Sequence, residues 1–410
     1  MFLKNLEIEH KQSPEIAVLI ACSSKQLTKE NIQTLSALLA KTLDWDVLLR
    51  SAQYHKVIPL LYKTLTTYFK MDVPERVFTD LSKLNWNNSV HSLNVSATLV
   101  NIIKLFNENG IDVLPIKGPL LAERLYGSCS MRMYGDLDIL VRQKDLEKSL
   151  NVLQENNYRL VPEGIPQSTY MKFLKHKYHG QLLSKNGIFV EMHWELTGFY
   201  VSEPLTFERV EPFLIRTKFS NYPTLDLIDE MLLIFLCIHG NSHRLEKLDY
   251  ICSVAELLKI SPNIDWALIM EIGQKYKMTK RILVTLCLAK KIFGSAISVW
   301  IEDAISNNRA VAQRADRVMG QDFIENSEAF RHPLQRHIRY QYNVMDNKYD
   351  SIKYILRSIV VPNHNDWQKK RFSDVLFWFY FLYKPYRMLS VPVLNRMSTT
   401  IDDNLRKRKE

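Results

Sequence analysis

Asp136 and Asp138 stand two residues apart in the run Asp136-Leu-Asp-Ile-Leu-Val141, whose alternation of polar and apolar residues predicts a β-strand. Side chains at i and i+2 of a strand leave the same face, so the two carboxylates would crowd together. Such a pair repels itself unless a cation lies between them. Hard divalent cations take oxygen ligands, and phosphates usually complete their shell. Glu191 lies on a further expected strand, and the same period-two count puts His193 on its face. Asp136, Asp138 and Glu191 could therefore converge on one side of one sheet. The plain alternative is a solvent-facing strand edge, where a bare Asp-x-Asp is common.

A second feature lies just upstream. Ile111 to Ile116 is a short apolar run followed by Lys117-Gly118-Pro119, a strand-to-helix turn with Pro119 suited to a first helical turn. The unpaired amides of a helix start favour anions. Lys117 would add a point charge and Arg132 a fork suited to phosphate. A turn that can hold phosphate ahead of a pair that can hold Mg²⁺ is what phosphoryl transfer requires.

The elements that must position these residues are legible in outline. Apolar residues at three- and four-residue spacing (Leu35, Leu38, Leu39; Ile58, Leu61, Leu65) predict helices before residue 105, with Asp44 as an N-cap. A long helix is expected over about 92–109, ending at Gly110. A helix is read over 144–156. Asn186-Gly187 between 180–183 and 188–194 predicts a β-hairpin. A βαβ unit plus a hairpin over about 111–196 implies a mixed sheet rather than a doubly wound parallel one. From Asp226, read as a cap, helices are expected over about 231–239, 248–258, 266–276, 280–293 and 295–307. The fold class expected is α+β, in three parts: 1–105 helical, 106–225 an α/β core, and 226–410 helical.

Composition sets the outer bounds. The 410 residues, 46% hydrophobic and 24% charged, can bury a sizeable core, and two or three structural units are expected. Five scattered cysteines without a CxxC pair exclude a disulfide framework and a zinc ribbon, and fit a reducing cytosol. No secretory signal and no apolar run of ~18 residues is read, so a soluble, cytoplasmic or at most peripheral protein is expected. Of the net charge of +10, the stretch from Arg309 onward supplies +8, with 19 Lys/Arg against 11 Asp/Glu. Beside these charges lies the aromatic run Val375-Leu-Phe-Trp-Phe-Tyr-Phe-Leu-Tyr383. It reads either as a buried helix or as a peripheral membrane contact, aromatic on one face and basic beside it. Nucleic acid is not an expected partner, since no binding module is visible. Neither Walker A, Gly-x-Ser-x-Gly nor a dinucleotide fingerprint occurs. His239 and His243 have zinc-compatible spacing but no HExxH, and His176 and His179 read as strand polar groups near the site.

The segment Ile116-Lys117-Gly118, Leu120, Tyr126, Arg132 and Asp136-Leu-Asp-Ile-Leu-Val resembles the core of the polymerase-β-like nucleotidyltransferases. In particular it resembles the bacterial family called uncharacterised nucleotidyltransferases. Val190-Glu-Met-His-Trp-Glu-Leu196 is similar to the family's third-carboxylate strand, and Lys175-His-Lys-Tyr-His179 to the stretch before it. Similarity extends over Ala52-Gln-Tyr-His-Lys-Val-Ile-Pro-Leu-Leu61, His239-Gly-Asn-Ser-His243 and Lys384-Pro-Tyr-Arg387. Lys117-Gly118 stands where the superfamily usually has Gly-Gly or Gly-Ser, and Glu191 where many relatives carry Asp. The resemblance implies a Mg²⁺-dependent nucleotidyltransferase with two ions, for which Mn²⁺ can substitute. Asp136, Asp138 and Glu191 would be catalytic and metal-binding. Lys117, Gly118, Arg132 and His193 would bind an NTP such as ATP. The acceptor implied is a small molecule, sugar or peptide, in a biosynthetic setting. A catalytically inactive nucleotide-binding or scaffold protein of the same fold is the alternative.

Overall fold

The structure, a computed structural model, describes residues 13–177, 179–184, 186–198, 201, 203–322 and 333–388. Before the sheet come α1 (Pro14–Cys22), α2 (Lys29–Leu39), α3 (Trp45–Tyr54), α4 (Ile58–Tyr68) and α5 (Glu75–Glu108). The α/β part runs β1 (Leu114–Pro115), α6 (Pro119–Tyr126), β2 (Asp136–Leu140), α7 (Leu146–Glu155), β3 (Arg159–Leu160), α8 (Gln167–Leu174), β4 (His179–Leu183) and β5 (Phe189–His193). After it come α9 (Phe207–Val210), β6 (Leu214–Phe219), β7 (Tyr222–Leu227), α10 (Asp229–Ser242), α11 (Leu248–Ile260), α12 (Trp266–Lys275), α13 (Thr279–Phe293), α14 (Val299–Ser306) and α15 (Arg309–Arg317). α16 (Pro333–Val344), α17 (Lys348–Val360) and α18 (His364–Lys369) follow. Mostly helical with a small mixed sheet, this is an α+β fold.

Five strands pair in the order β1-β2-β5-β4-β3. β2 and β5 are parallel neighbours, and the other pairings are antiparallel. The expected hairpin forms with Leu183 opposite Phe189. Gly187 takes φ +77°, a backbone conformation that favours glycine. Lys185, at the same turn, lies outside the described residues. Asp44 caps α3, its Oδ1 accepting from the Val47 amide at 2.9 Å.

Three local expectations are corrected. The long helix begins at Glu75, not near 92, because Val77, Leu81, Val95, Leu99, Ile102 and Phe106 keep one side of it buried over nearly all its length. β1 runs antiparallel to β2, so β1, α6 and β2 do not form a parallel crossover unit. Asp226 is not a helix cap; it sits in β7 and receives Arg124 Nη1 at 2.7 Å, while α10 starts at Asp229.

Two apolar clusters organise the chain. One combines α5, α7 and α8 with the sheet residues Leu137, Ile139, Leu182, Val190 and Met192, and takes in Trp367, Phe377 and Tyr380 from far along the sequence. The other joins α1–α4 to α10–α15, so helices from both ends of the chain share one core. Within that core Asn241, fully buried, donates to Cys237 O and Thr285 Oγ1 and accepts from Tyr340 OH at 2.8 Å. A buried polar group satisfied on several sides fixes its helix in one rotation. That helix, α10, carries His239, and His243 caps its C-terminal end. Among the described residues no helix is long and apolar enough to cross a membrane.

Candidate active site

The polar face of the sheet is set by register. β2 and β5 align Asp138 with Glu191, and β5 and β4 align Glu191 with Gln181 and His193 with His179. The opposite face, with Leu137, Ile139, Val190 and Met192, is in the core. Burying that apolar face forces Asp138, Glu191 and His193 to the other side.

Asp138 is 1% exposed and has two side-chain partners, a lysine and a histidine. Lys117 Nζ lies 2.9 Å from its Oδ2, and His193 Nε2 3.0 Å from its Oδ1. The same His193 Nε2 is 3.6 Å from Glu191 Oε2. Burial pushes the Asp138 pKa up, but Lys117 and His193 outweigh it and hold the carboxyl below its usual range. For Glu191, burial is likewise outweighed, by the nearby His193 and His179 and by the Gln181 side-chain amide that donates to its Oε1 at 2.5 Å, and the carboxyl is held below its usual range. Lys117 is shifted up, since Asp138 and Asp136 overcome the cost of burial. Asp136 is different: burial and the negative charge of Asp138 raise its pKa. It is half-buried beside the group rather than within it.

Ligand atoms of Asp138, Glu191 and His193 all lie within 4.8 Å of one another. Two ionised carboxylates and one imidazole nitrogen suit a hard or borderline divalent cation such as Mg²⁺ or Mn²⁺.

The expected site residues are placed unequally. Asp138, Glu191, His193 and Lys117 line one cavity of ≈ 240 Å³. Gly118 opens α6 with φ +70° and ψ −137°, a conformation that favours glycine. Arg132 lies elsewhere. It is 7% exposed, and its fork meets Asp249 of α11, Nε to Oδ1 at 3.1 Å and Nη2 to Oδ2 at 2.7 Å. It braces the loop before β2 against the helical core.

The far wall of the cavity comes from α10 and its C-cap: Phe235, Ile238, His239, Ser242 and His243. The His243 ring stacks on Tyr250 at 5.5 Å and meets the His239 ring edge-on at 4.9 Å. The sequence marks both histidines by their spacing and by the family resemblance, as structural or substrate-lining residues, and both stand on the cavity wall. Lys56 is not among the residues that line the cavity. It stands half-buried where Asp249 and Asp136 both act on it, and burial lowers its pKa.

Burial first, then the charge of Lys117, keeps His239 and His243 neutral, with His243 pushed down to about 4. An unfolded histidine titrates near ~6.5. Between about 6.5 and 4 the unfolded chain thus binds more protons, so the stability present above that window is lost as pH falls through it. The urea midpoint is expected to be lower at pH 5 than at pH 7. His243→Asn should shrink that difference; an unchanged difference would contradict the assignment.

Carboxylates on neighbouring parallel strands and a lysine thus line one cavity. The family model of the uncharacterised nucleotidyltransferases matches residues 41–294, and the chain belongs to that family. Its class is that of a nucleotidyl-group transferase. No curated protein and no solved structure matches the chain.

Proposed function

We propose that the protein moves a nucleoside monophosphate from an NTP onto a hydroxyl or phosphate of a small-molecule, sugar or peptide acceptor, with Mg²⁺ or Mn²⁺ in the cytoplasm. The observation that carries this is the alignment of Asp138 with Glu191 across β2 and β5, beside Lys117 in one cavity. Divalent cations would supply charge neutralisation at the transferring phosphoryl group and lower the pKa of the attacking hydroxyl. Asp138 and Glu191, with Asp136 at their side, would hold the ions. His193 supports an imidazole nitrogen at the same point, which favours Mn²⁺ as a substitute.

With the carboxylates holding the ions, Lys117 would be available to the phosphates, and the first turn of α6 beyond Gly118 would offer amides to the same anion. Glu191 is the candidate base for the acceptor hydroxyl if it comes within hydrogen-bond reach. The cavity is below the roughly 300–1,000 Å³ of pockets that enclose a drug-sized ligand, so it fits the triphosphate end while the nucleoside extends past it. His239, His243 and Phe235 form the wall against which the acceptor would lie.

The balance of charge already present around Asp138 favours one second reading, a nucleotide-binding scaffold whose site is complete without turnover. Labelled NTPs incubated with Mg²⁺ and small-molecule cell extract separate the two. Transfer of label with stoichiometric pyrophosphate release supports the transferase; calorimetric NTP binding without release in any extract supports the scaffold.

A further inference from the structure

The run Val375-Leu-Phe-Trp-Phe-Tyr-Phe-Leu-Tyr383 is divided between two environments. A 3₁₀ segment, Asp374–Phe379, continues as α-helix over residues 380–388. Phe377 and Tyr380 are buried against Phe173, with ring centroids at 4.9 and 5.1 Å. On the other side Val375, Trp378 and Leu382 are 87%, 68% and 72% exposed, and Phe379 and Tyr386 are exposed beside them. Burial of Phe377 and Tyr380 explains why the segment docks on the sheet domain, but leaves Val375, Leu382 and most of the Trp378 ring facing outward.

α17 extends the same surface. Lys384 Nζ donates to Val361 O at 2.6 Å, joining the two helices at their ends. The outer face of α17 shows Ile352, Leu356 and Val360 at four-residue spacing, all exposed. Over residues 348–388 there are eight Lys/Arg and three Asp/Glu. Each acid has partners within the protein: Asp350 meets Asn347 and Asp366 meets Arg387, while Asp374, partly exposed, accepts from Ser168 and Thr169 and faces Lys172. Lys353, Lys369, Lys370 and Arg371 remain exposed on this segment, with no exposed acid of the segment among them.

We infer that this surface docks on an anionic lipid bilayer. Aromatic rings with a polar edge beside aliphatic side chains and a basic border match the interface between acyl chains and acidic headgroups. A second copy of the chain is disfavoured, because a two-fold contact would bring the same cations face to face. RNA is disfavoured because the exposed rings stand among the aliphatic Val375, Leu382, Ile352, Leu356 and Val360, an apolar surface against which a phosphodiester backbone would lose its water without a partner. The surface lies close to the cavity: the His176 ring meets Trp378 at 6.2 Å, three residues before His179 of the cavity wall.

Co-sedimentation of the full-length protein with vesicles tests this. Binding to phosphatidylcholine vesicles containing phosphatidylglycerol should exceed binding to phosphatidylcholine alone by about tenfold, and should fall as salt is raised. The double variant Trp378→Ser with Leu382→Ser should lose about tenfold of that binding, with the circular dichroism spectrum and melting temperature of the parent. The inference is overturned by equal binding to both vesicles or by undiminished binding of the folded variant. It is also overturned if the substitutions instead abolish binding of a single-stranded RNA or dissolve a dimer.

Discussion

Asp138→Asn is expected to lower NTP-dependent pyrophosphate release by about 10³-fold, the upper range for loss of one electrostatic group at a reacting centre. The substitution keeps the shape of the side chain and removes its charge. It also strands Lys117, whose ammonium lies 2.9 Å from Asp138 Oδ2 in a largely buried setting. Breaking a buried pair from one side costs about 3–5 kcal/mol, so the urea midpoint should fall too. Adding Lys117→Met to Asp138→Asn separates the two effects. The double variant should regain much of the lost stability while turnover stays absent. Activity of the single variant within tenfold of wild type would remove the carboxylate from the chemistry, and the transferase mechanism proposed for this site with it.

Arg132→Ala should act on the fold instead. Its partner Asp249 is 5% exposed and would be left charged without the bidentate fork, at a cost of about 3–5 kcal/mol. Asp249 opens α11, where the His55 carbonyl accepts from the Asp249 amide and His55 Nδ1 accepts from the Leu248 amide. The loss should therefore loosen α3, α11 and the loop before β2 together. Replacing the pair as Arg132→Met with Asp249→Leu should recover most of the stability, since apolar substitutes of similar volume are often neutral at such sites. In that variant the KM for NTP should stay within about threefold. A rise of tenfold or more would restore to Arg132 the phosphate-binding role its sequence context suggests.

That contrast shows what kind of information each level holds. Asp136-x-Asp138 and Glu191-x-His193 were legible because a strand has a fixed period of two, so alternation alone assigns a shared face. The hairpin was legible because Asn186-Gly187 suits a backbone conformation few residues tolerate, and Gly187 adopts it. Helices α11 to α13 were legible within a few residues from their apolar spacing. Arg132 looked equally suited to a phosphate, because a guanidinium is the same group whether it meets a phosphate or Asp249, 117 positions further on. Its partner was a long-range fact.

By itself, then, the sequence determined the α+β class, the strand carrying the aspartates, the turn at Lys117-Gly118 and the membership of Glu191 and His193 in the same face. These follow from local periodicity and backbone preference, which act over a few residues. Tertiary structure alone decided that β2 lies parallel to β5, which puts Asp138 opposite Glu191 and leaves Asp136 at the side. It alone brought Lys56, His239 and His243 toward the site, and fused helices from both ends of the chain into one core. The reason is physical: apolar burial is non-directional and carries no address in the local pattern, so which distant surfaces meet is settled only when the whole chain packs.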